Sequence, residues 1–318
     1  MKIIIRNCNV AELDIPLKYA TKLYNEFAIR HPNAFYLRTR QRGMQNWDGK
    51  IKYITKTGQF KIGLLPSVYK RCIELGIKPI IVDMRQPLPK VSKVVTQIGK
   101  YKLRPEQEKA VKAILSNKLG ETPFQIGVLD YTVNAGKTLI MSALYLSYKK
   151  QLKTLLITND SDWLNQARDE FKQYLPGEDI TFVQGKVLNW SNFTIGMVQS
   201  ISRNMKYYQN ELAKIDMVLI DEADQGGSKQ YQNVITRLFN TRVRIGLSGT
   251  IYMSKLAKDK VKNMNLRCFF GDVIAEFKLK DSIKKGYSTK TIVKTVEGKP
   301  WFGNWESDCM SYNEIYDD

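Results

Sequence analysis

Five apolar runs separated by helical patterns constrain this chain more than any other feature of its sequence. The runs are GVLDYT, TLLIT, FTIGMV, MVLID and VRIGLSG, and they begin at residues 127, 154, 193, 217 and 243. Stretches with helical periodicity predict helices at 105–116, 137–149, 162–174 and 229–239. Strands that are apolar along their whole length are buried on both faces, as in a parallel sheet covered by helices. We therefore predict an α/β fold for residues 87–280.

The first 86 residues carry a different pattern, which predicts a small α+β domain. Short apolar or alternating stretches predict strands, longer amphipathic stretches predict helices, and glycines mark turns. The predicted elements are a strand at 2–5, a helix at 16–29, a hairpin of 51–55 and 59–63 around Thr57-Gly58, a helix at 64–76 and a strand at 78–83. Residues 85–93 hold two prolines and no periodicity, which is typical of a linker.

The positive charge of the chain is concentrated in its front third. The sequence has a formal net charge of +19, and residues 1–100 contain 19 Lys and Arg residues against 6 Asp and Glu residues. Such a surface favours a polyanionic partner, most simply nucleic acid. A generally solubilising surface is the alternative.

Composition also argues against some kinds of functional site and indicates where in the cell the protein is found. One histidine and four widely spaced cysteines argue against a Cys/His metal cluster and against histidine acid–base chemistry. The N-terminal apolar run is too short for a secretory signal, and no stretch approaches the roughly 20 apolar residues of a membrane span. We expect a soluble, cytoplasmic protein without a membrane partner, and the sequence indicates no protein partner.

The segment TVNAGKTLI at residues 132–140 ends like a phosphate-binding loop. It follows an apolar run and opens a predicted helix, where backbone N–H groups point at phosphates and a lysine adds positive charge. Tyr131 occupies the position where the full pattern has its first glycine, so GKT alone leaves an ordinary loop as the alternative. The predicted nucleotide contacts are Asn134, Ala135, Gly136, Lys137, Thr138 and Leu139, with the Thr138 hydroxyl on Mg²⁺.

The segment MVLIDEADQGGS at residues 217–228 supplies the acidic partner of this loop. A buried strand that ends in Asp221 and Glu222 suits Mg²⁺ binding by the first acid and activation of water by the second. The next apolar run ends in GLSGT at 246–250. Each motif alone could be a cap, a solvated charge or a turn. Three motifs at the ends of parallel strands predict one shared ligand at that edge of the sheet.

With GKT, DEAD and SGT in this order, the chain resembles the first motor domain of a superfamily 2 helicase. The resemblance implies a RecA-like sheet, ATP with Mg²⁺, and catalytic roles for Lys137, Asp221 and Glu222. It also implies that four residues couple the nucleotide to the nucleic acid, namely Asp224, Ser248, Gly249 and Thr250. The chain departs from the family at residues 132–134, where Pro-Thr-Gly is common.

Three further segments extend the resemblance. In KLRPEQEKAV at 102–111, Gln107 matches a glutamine that reads adenine, and Arg104 lies near it. LITNDSDWLNQ at 156–166 and TIGMVQSI at 194–201 match strand-contact motifs. They imply sugar and phosphate contacts from Asn159, Gln166, Gln199 and Ser200. An exposed helix start and plain loops are the alternatives.

The front segment RQRGMQNWDGKIKYI resembles the N-terminal DNA-binding domain of a phage recombination helicase. This implies double-stranded or branched DNA as substrate, in phage recombination, repair or replication, inside a bacterial host. Cations there would neutralise phosphates, and an aromatic side chain could stack on an unpaired base. The residues concerned are Arg38, Arg40, Arg42, Trp47, Lys50 and Lys52. Alternatively, Trp47 is a core residue beside a turn at Asp48-Gly49.

We therefore predict a small basic α+β DNA-binding domain at 1–86, a motor domain at 87–280, and the start of a second motor domain or its linker at 281–318. We expect the chain to be a piece of a longer helicase and to hydrolyse ATP very slowly by itself. A naturally short protein is the alternative. Other functions remain open: a DNA-binding accessory module with a nucleotide site, an RNA helicase, or the motor of a restriction system.

Overall fold

Residues 1–83 build a small four-stranded sheet with helices around it. The computed structural model of the chain describes residues 1–41, 43–91, 93–187, 190–252 and 259–290. The sheet pairs its strands in the order β5-β2-β1-β6, and β3 pairs separately with β4. The elements of this N-terminal unit are β1 (Lys2–Ile5), β2 (Val10–Asp14), α1 (Leu17–Glu26), β3 (Ala28–Arg30), α2 (Ala34–Arg40), β4 (Lys50–Lys52), β5 (Gln59–Lys61), α3 (Leu65–Glu74) and β6 (Ile80–Asp83).

The rest of the described chain alternates strands and helices. Its elements are β7 (Gln97–Ile98), β8 (Tyr101–Lys102), α4 (Pro105–Ser116), β9 (Lys118–Leu119), β10 (Thr122–Pro123), β11 (Ile126–Tyr131), α5 (Lys137–Ser147), β12 (Thr154–Thr158), α6 (Ser161–Tyr174), β13 (Ile180–Val183), β14 (Phe193–Met197), α7 (Val198–Arg203), α8 (Met205–Leu212), β15 (Met217–Asp221), α9 (Lys229–Ile235), β16 (Val243–Ser248), α10 (Asp259–Phe270), β17 (Val273–Phe277) and α11 (Leu279–Lys284).

Seven of these strands form one sheet in the order β13-β14-β12-β15-β16-β11-β17. Every neighbouring pair in it is parallel. The predicted α/β class, a RecA-like parallel sheet flanked by helices and preceded by a small α+β unit, is confirmed. Because the strands are parallel, β11, β12, β14, β15 and β16 all present their carboxyl ends at one edge of the sheet.

Both faces of this sheet are covered, as the apolar runs require. Along β15, Met217 and Leu219 join the core formed with α4, α5 and α6, whereas Val218 and Ile220 join the core on the other face. Side chains alternate between faces along a strand, so a strand buried on both faces must be apolar throughout. The second core continues without a break into the N-terminal unit, including Ile3, Ile5 and Leu65.

One buried arginine joins the N-terminal unit to the large sheet. Arg244 of β16 is 1% exposed, and its guanidinium donates to the Cys8 carbonyl and to Asn9 Oδ1, both at 2.8 Å. It also donates to the Phe269 carbonyl at 3.3 Å. Burial lowers the pKa of Arg244 to about 10, which leaves the group charged at neutral pH. Its acceptors belong to the loop after β1 and to α10, so three parts of the chain meet at one cation.

Two predictions for the N-terminal unit were wrong in part. The helix predicted over 16–29 ends at Glu26, and residues 28–30 form β3. The predicted hairpin of 51–55 and 59–63 keeps only its turn and one bridge, between Ile54 and Phe60. Its strands pair elsewhere, because β4 takes β3 and β5 takes β2 as partners. The alternating pattern is compatible with a hairpin of the two strands and also with the observed pairs β3–β4 and β2–β5. The short separation of the two strands in the sequence did not make them partners.

Candidate functional site

The predicted phosphate loop is a short turn between β11 and α5. Tyr131, in place of the expected glycine, is the last residue of β11; its ring is buried, and its hydroxyl donates to the Glu106 carbonyl at 2.8 Å. The substitution therefore falls in the strand, and the loop itself begins at Thr132. Asn134 and Gly136 have positive φ angles of 64° and 71°, and Gly136 immediately precedes α5. The amides that open α5 have no acceptor within the helix and face the loop.

Gln107 braces this loop. Its side chain is 2% exposed; Oε1 accepts from the Arg104 amide at 2.8 Å, and Nε2 donates to the Ala135 carbonyl at 2.9 Å. A Cβ at Gly136 would lie 2.3 Å from Gln107 Nε2, so any other residue there would displace this amide, and the positive φ of 71° would strain it further. The structure therefore gives Gln107 a contact with the loop. Adenine recognition by this residue stays a prediction.

Arg104 lies at the rim of the same region. Its guanidinium donates to the Asn134 carbonyl at 3.4 Å and lies 4.2 Å from the centre of the Tyr287 ring. Tyr287 follows α11, which is attached to α4 and β11 by two ion pairs. Lys285 bonds the buried carboxylate of Glu106 at 2.7 Å, and Lys278 bonds that of Asp130. No local pattern indicated that residues 281–287, which lie outside the predicted motor domain, reach the loop region.

Asp221 ends β15 as a buried carboxylate with a free oxygen. It is 6% exposed, and its Oδ1 has no hydrogen-bond partner within the described residues. Burial raises its pKa, which the positive charge of Lys137 partly offsets. A buried acceptor without a partner is costly unless a ligand satisfies it. An oxygen-seeking cation such as Mg²⁺ fits this position, with the Thr138 hydroxyl as a second oxygen ligand.

Glu222 and the residues after it form a tight turn. Glu222 is exposed and has a positive φ of 51°, which is uncommon for a residue with a side chain. Asp224 Oδ1 accepts from the Ser248 hydroxyl at 2.9 Å, and the Thr250 amide donates to the same hydroxyl at 3.2 Å. The DEAD and SGT segments are thus in direct contact. Gly249 lies against the end of β11, where its Cβ position is 3.2 Å from the Tyr131 carbonyl.

A chain of hydrogen bonds leads from Glu222 to two predicted strand-contact residues. Gln225 Nε2 donates to Glu222 Oε2 at 3.2 Å, and Gln225 Oε1 accepts from Asn159 Nδ2 at 2.6 Å. Gln199 Nε2 then donates to the Asn159 carbonyl at 3.2 Å. The loops after β15, β12 and β14 are therefore joined by amide side chains. Sequence reasoning missed Gln225, although its place one residue after DEAD was a usable signal.

The other predicted strand-contact residues are less closely linked. Gln166 is exposed on α6 and bonds Glu170 of its own helix at 2.9 Å. Ser200 is half-buried in α7, and its carbonyl accepts from the Asn204 side chain at 2.9 Å. Their roles in DNA binding stay predictions.

The basic residues predicted to bind DNA divide into exposed and engaged side chains. Arg38, Arg40 and Lys50 are exposed. Lys52 forms an ion pair with Asp48 at 3.1 Å, and its ammonium lies 4.7 Å from the centre of the Tyr24 ring. Its charge is therefore engaged within the protein. Trp47 is half-buried and donates its indole N–H to the Lys50 carbonyl at 3.0 Å. Arg42 lies outside the described residues.

The described residues include neither a membrane-spanning helix nor a cluster of metal-ligating side chains. No helix among them is long and apolar enough to cross a membrane. They also contain no group of three or more His, Cys, Asp and Glu side chains arranged to hold a metal ion. A cation at Asp221 would therefore need oxygen atoms from other sources, such as a hydroxyl or the phosphates of a nucleotide.

Known proteins match the chain in sequence. Residues 100–253 match the family model of the type III restriction enzyme, res subunit. A relative from Acanthamoeba polyphaga mimivirus, whose name places it among ATP-dependent RNA helicases, is 26% identical over 147 residues, which cover 46% of this chain and 27% of the relative. The ATP-dependent DNA helicase UvsW of Enterobacteria phage T4 is 23% identical over 272 residues, which cover 79% of this chain and 51% of UvsW. The chain thus spans about half, or less, of the length of these curated relatives.

A solved structure matches the fold. The crystal structure of the UvsW helicase from bacteriophage T4 aligns with a TM-score of 0.67 at 21% identity, over 86% of this chain and 100% of that one. At this identity the match establishes the fold, including the N-terminal unit. In its motifs, its sequence and its fold, the chain resembles a superfamily 2 helicase, and UvsW in particular.

Proposed function

We propose that the chain carries the ATP-binding motor domain and a DNA-binding unit of a superfamily 2 helicase or translocase that acts on duplex or branched DNA. The similarity to a phage DNA helicase supports a role in phage recombination, repair or replication, in the cytoplasm of a bacterial host. The chain spans about half of that relative, so unwinding is proposed for the complete protein.

The buried carboxylate of Asp221 carries this proposal. One of its oxygens has no hydrogen-bond partner among the described residues, and the positive charge of Lys137 acts on the carboxylate. Asp221 lies at the edge of the sheet where β11 also ends and the phosphate loop begins. Lys137 and the amides at the start of α5 would hold the β- and γ-phosphates of ATP. Thr138 and Asp221 would hold Mg²⁺, which neutralises phosphate charge when bound. Glu222, exposed beside Asp221, would orient the attacking water and accept its proton.

The support for DNA comes from the front of the chain. Residues 1–100 hold 19 Lys and Arg residues against 6 Asp and Glu residues, and Arg38, Arg40 and Lys50 are exposed. Cations of this kind bind the phosphate backbone and release counterions, without reading sequence. The bonds between Glu222, Gln225 and Asn159 would let strand contact influence the catalytic carboxylate.

An RNA helicase is the second candidate, because the mimivirus relative is named as one. RNA and DNA duplexes differ in groove shape and in the 2′-hydroxyl. Competition between DNA and RNA duplexes of one sequence for the full chain separates the two candidates. We expect DNA to win; a clear preference for RNA would replace DNA as the substrate.

The test of the nucleotide site is binding and hydrolysis of Mg·ATP by the full chain, with and without branched DNA. Lys137→Ala should lower nucleotide affinity at least about 10-fold, since it removes the phosphate-binding cation. The control, Lys109→Ala, changes an exposed lysine of α4 and should have no effect. The chain spans about half the length of the phage relative. An arginine finger supplied in cis or in trans is worth about 10³–10⁵ in rate in related phosphate-loop enzymes, so we expect very slow turnover by these residues alone. Nucleotide binding that is indifferent to Lys137→Ala would refute the site.

A further inference from the structure

An excursion from the N-terminal unit, here called the arm (residues 28–52), has an unusual side chain near its tip. The arm contains the β3–β4 ribbon, α2 and the turn that returns to β4. Phe35 of α2 is 80% exposed, more than any other large apolar side chain of the described residues. Exposure of a phenylalanine forgoes the stabilisation that burial of its ring would bring. A single exposed apolar side chain is common on protein surfaces, so the surroundings of Phe35 decide whether its ring could serve a ligand.

The arm holds Phe35 in a fixed place. Tyr53, just after β4, donates its hydroxyl to Asn265 Oδ1 of α10 at 3.0 Å, which seats the root of the arm on the motor domain. Near the tip, the His31 amide donates to the Gly49 carbonyl at 2.9 Å. A Cβ at Gly49, whose φ is +76°, would lie 3.0 Å from the Ala34 Cβ, so α2 packs directly on this turn. The NWDG segment thus positions the start of α2.

The ring of Phe35 is open, whereas the neighbouring aromatic rings are engaged. Tyr24 is covered by Lys52 at 4.7 Å and Tyr36 by Arg40 at 4.8 Å. Within the described part of the chain, Phe35 makes neither a ring–ring nor a cation–ring contact. Arg38 lies one turn further along α2, on the same side as Phe35. The arm contains six Lys and Arg residues and one acid, so a ring with free faces stands in a strongly positive surface.

The tip of the arm lies beside the predicted strand-contact loops. Pro32, three residues before Phe35, lines a cleft of about 710 Å³ with Gln225 and Lys262 on its other side. Gln225 is the residue that accepts from Asn159 at 2.6 Å. A strand that contacts Asn159 and Gln199 would therefore pass near the start of α2. The arm and the motor domain thus line the same cleft.

We propose that Phe35 stacks on an unpaired base where a DNA duplex opens, so that the arm recognises junctions. The exposed cations of the arm would hold the flanking phosphates. In an intact duplex both faces of each base are covered by neighbouring bases, whereas a base at a fork leaves one face free for an aromatic ring. This proposal rests on the proposed DNA binding. It adds the DNA structure that the arm prefers, a fork or junction, and the residue that recognises it, Phe35.

The experiment compares the affinity of the full chain for a blunt duplex and for the same duplex extended into a fork with two unpaired arms. A 2-aminopurine at the first unpaired position reports stacking through its fluorescence. We expect the wild type to prefer the fork, and Phe35→Ala to lose about 5- to 100-fold in fork affinity, the range for loss of one base–aromatic stack. Blunt-duplex affinity should stay unchanged, and Phe35→Trp should keep both the preference and the fluorescence change.

Leu17→Ala is the matched control, because Leu17 of α1 is 75% exposed in the same unit. It should behave like the wild type. Equal binding of fork and duplex by the wild type, or an unchanged fork preference in Phe35→Ala, would overturn the role of Phe35 and leave DNA binding intact. Equal loss of the fork and blunt-duplex affinities in Phe35→Ala would also overturn it, because the substitution would then disturb the arm as a whole rather than one stack on an unpaired base. Failure of the wild type to bind either DNA would overturn both proposals.

Discussion

At the scale of single residues, the buried Asp221 and the half-buried Asp83 have opposite electrostatic surroundings. Burial raises the pKa of Asp221, and its Oδ1 has no hydrogen-bond partner in the part of the chain that the structure describes. Burial also acts to raise the pKa of Asp83, but the hydrogen bond and charge of Arg85, with further help from Arg242, outweigh it and lower the pKa. The Asp83 carboxylate forms ion pairs with Arg85 and Arg242. One oxygen of the Asp221 carboxylate, by contrast, accepts no hydrogen bond from the described residues. This contrast separates a candidate ligand site from a stabilising ion pair without reference to any motif.

Asparagine substitutions should therefore change stability in opposite directions. A raised folded-state pKa means that stability falls as pH rises from about 3.9 to that pKa and stays low above it. Asp221→Asn should consequently stabilise the fold at pH 7, by on the order of 1 kcal/mol, and abolish Mg²⁺-dependent nucleotide binding. Asp83→Asn should instead cost about 3 kcal/mol, because it leaves buried arginines without their anion.

Denaturant unfolding at pH 7 and at progressively lower pH measures both effects. The contribution of Asp83 should be present above about pH 4 and disappear as pH falls through its lowered pKa. Equal destabilisation by the two substitutions at pH 7 would show that the carboxylate of Asp221 is satisfied in the folded protein.

At the scale of elements, the parts that could be predicted are those set by local pattern. The runs at 154–158 and 217–221 became β12 and β15 with the predicted bounds, because a strand buried on both faces is apolar throughout. The partner of β4 could not be predicted, since pairing across 20 residues leaves no local trace. Likewise, the contacts of Gln225 with Asn159 and Glu222 and the exposure of Phe35 depend on the fold and leave no mark in the local sequence.

The docking of α11 is another feature with no local signal, and it can be tested. Lys285 forms an ion pair with Glu106, whose side chain is 4% exposed. The Oε1 atom of Glu106 has no hydrogen-bond partner among the residues described. Lys285→Ala should lower the midpoint of thermal unfolding more than Lys280→Ala, which changes an exposed lysine of the same helix. Glu106→Gln should recover part of the loss in the double variant, since it removes the buried charge. Identical midpoints for the two lysine variants would mean that α11 is not docked in solution.

At the scale of the whole molecule, the N-terminal unit and the motor domain share a hydrophobic core. Ile3 and Ile5 of β1 belong to the same cluster as Val218 and Ile220 of β15. Segments that share a core unfold together. The boundary between residues 86 and 87 stays a prediction about sequence, and it does not divide this core.

We therefore expect one thermal transition in calorimetry, with equal calorimetric and van't Hoff enthalpies. Arg244→Met should lower stability by about 2–4 kcal/mol, because the Cys8 carbonyl and Asn9 Oδ1 lose a charged donor, while the transition stays single. Arg237→Met is the control at an exposed arginine of similar position in the chain. Two resolved peaks in the wild type would contradict the shared core.

The position of Arg244 also restricts how a protein of this kind can diversify. Its guanidinium comes from the strand beside β11, and its acceptors come from the front loop and from α10. A foreign front unit grafted onto this motor would leave that cation with the Phe269 carbonyl but without the Cys8 carbonyl and Asn9 Oδ1. Transplantation of the unit would therefore have to bring two matching acceptors to the same place, because a buried cation that loses its acceptors destabilises the fold. Exposed positions of α2, such as Phe35 and Arg38, can change without disturbing that cation.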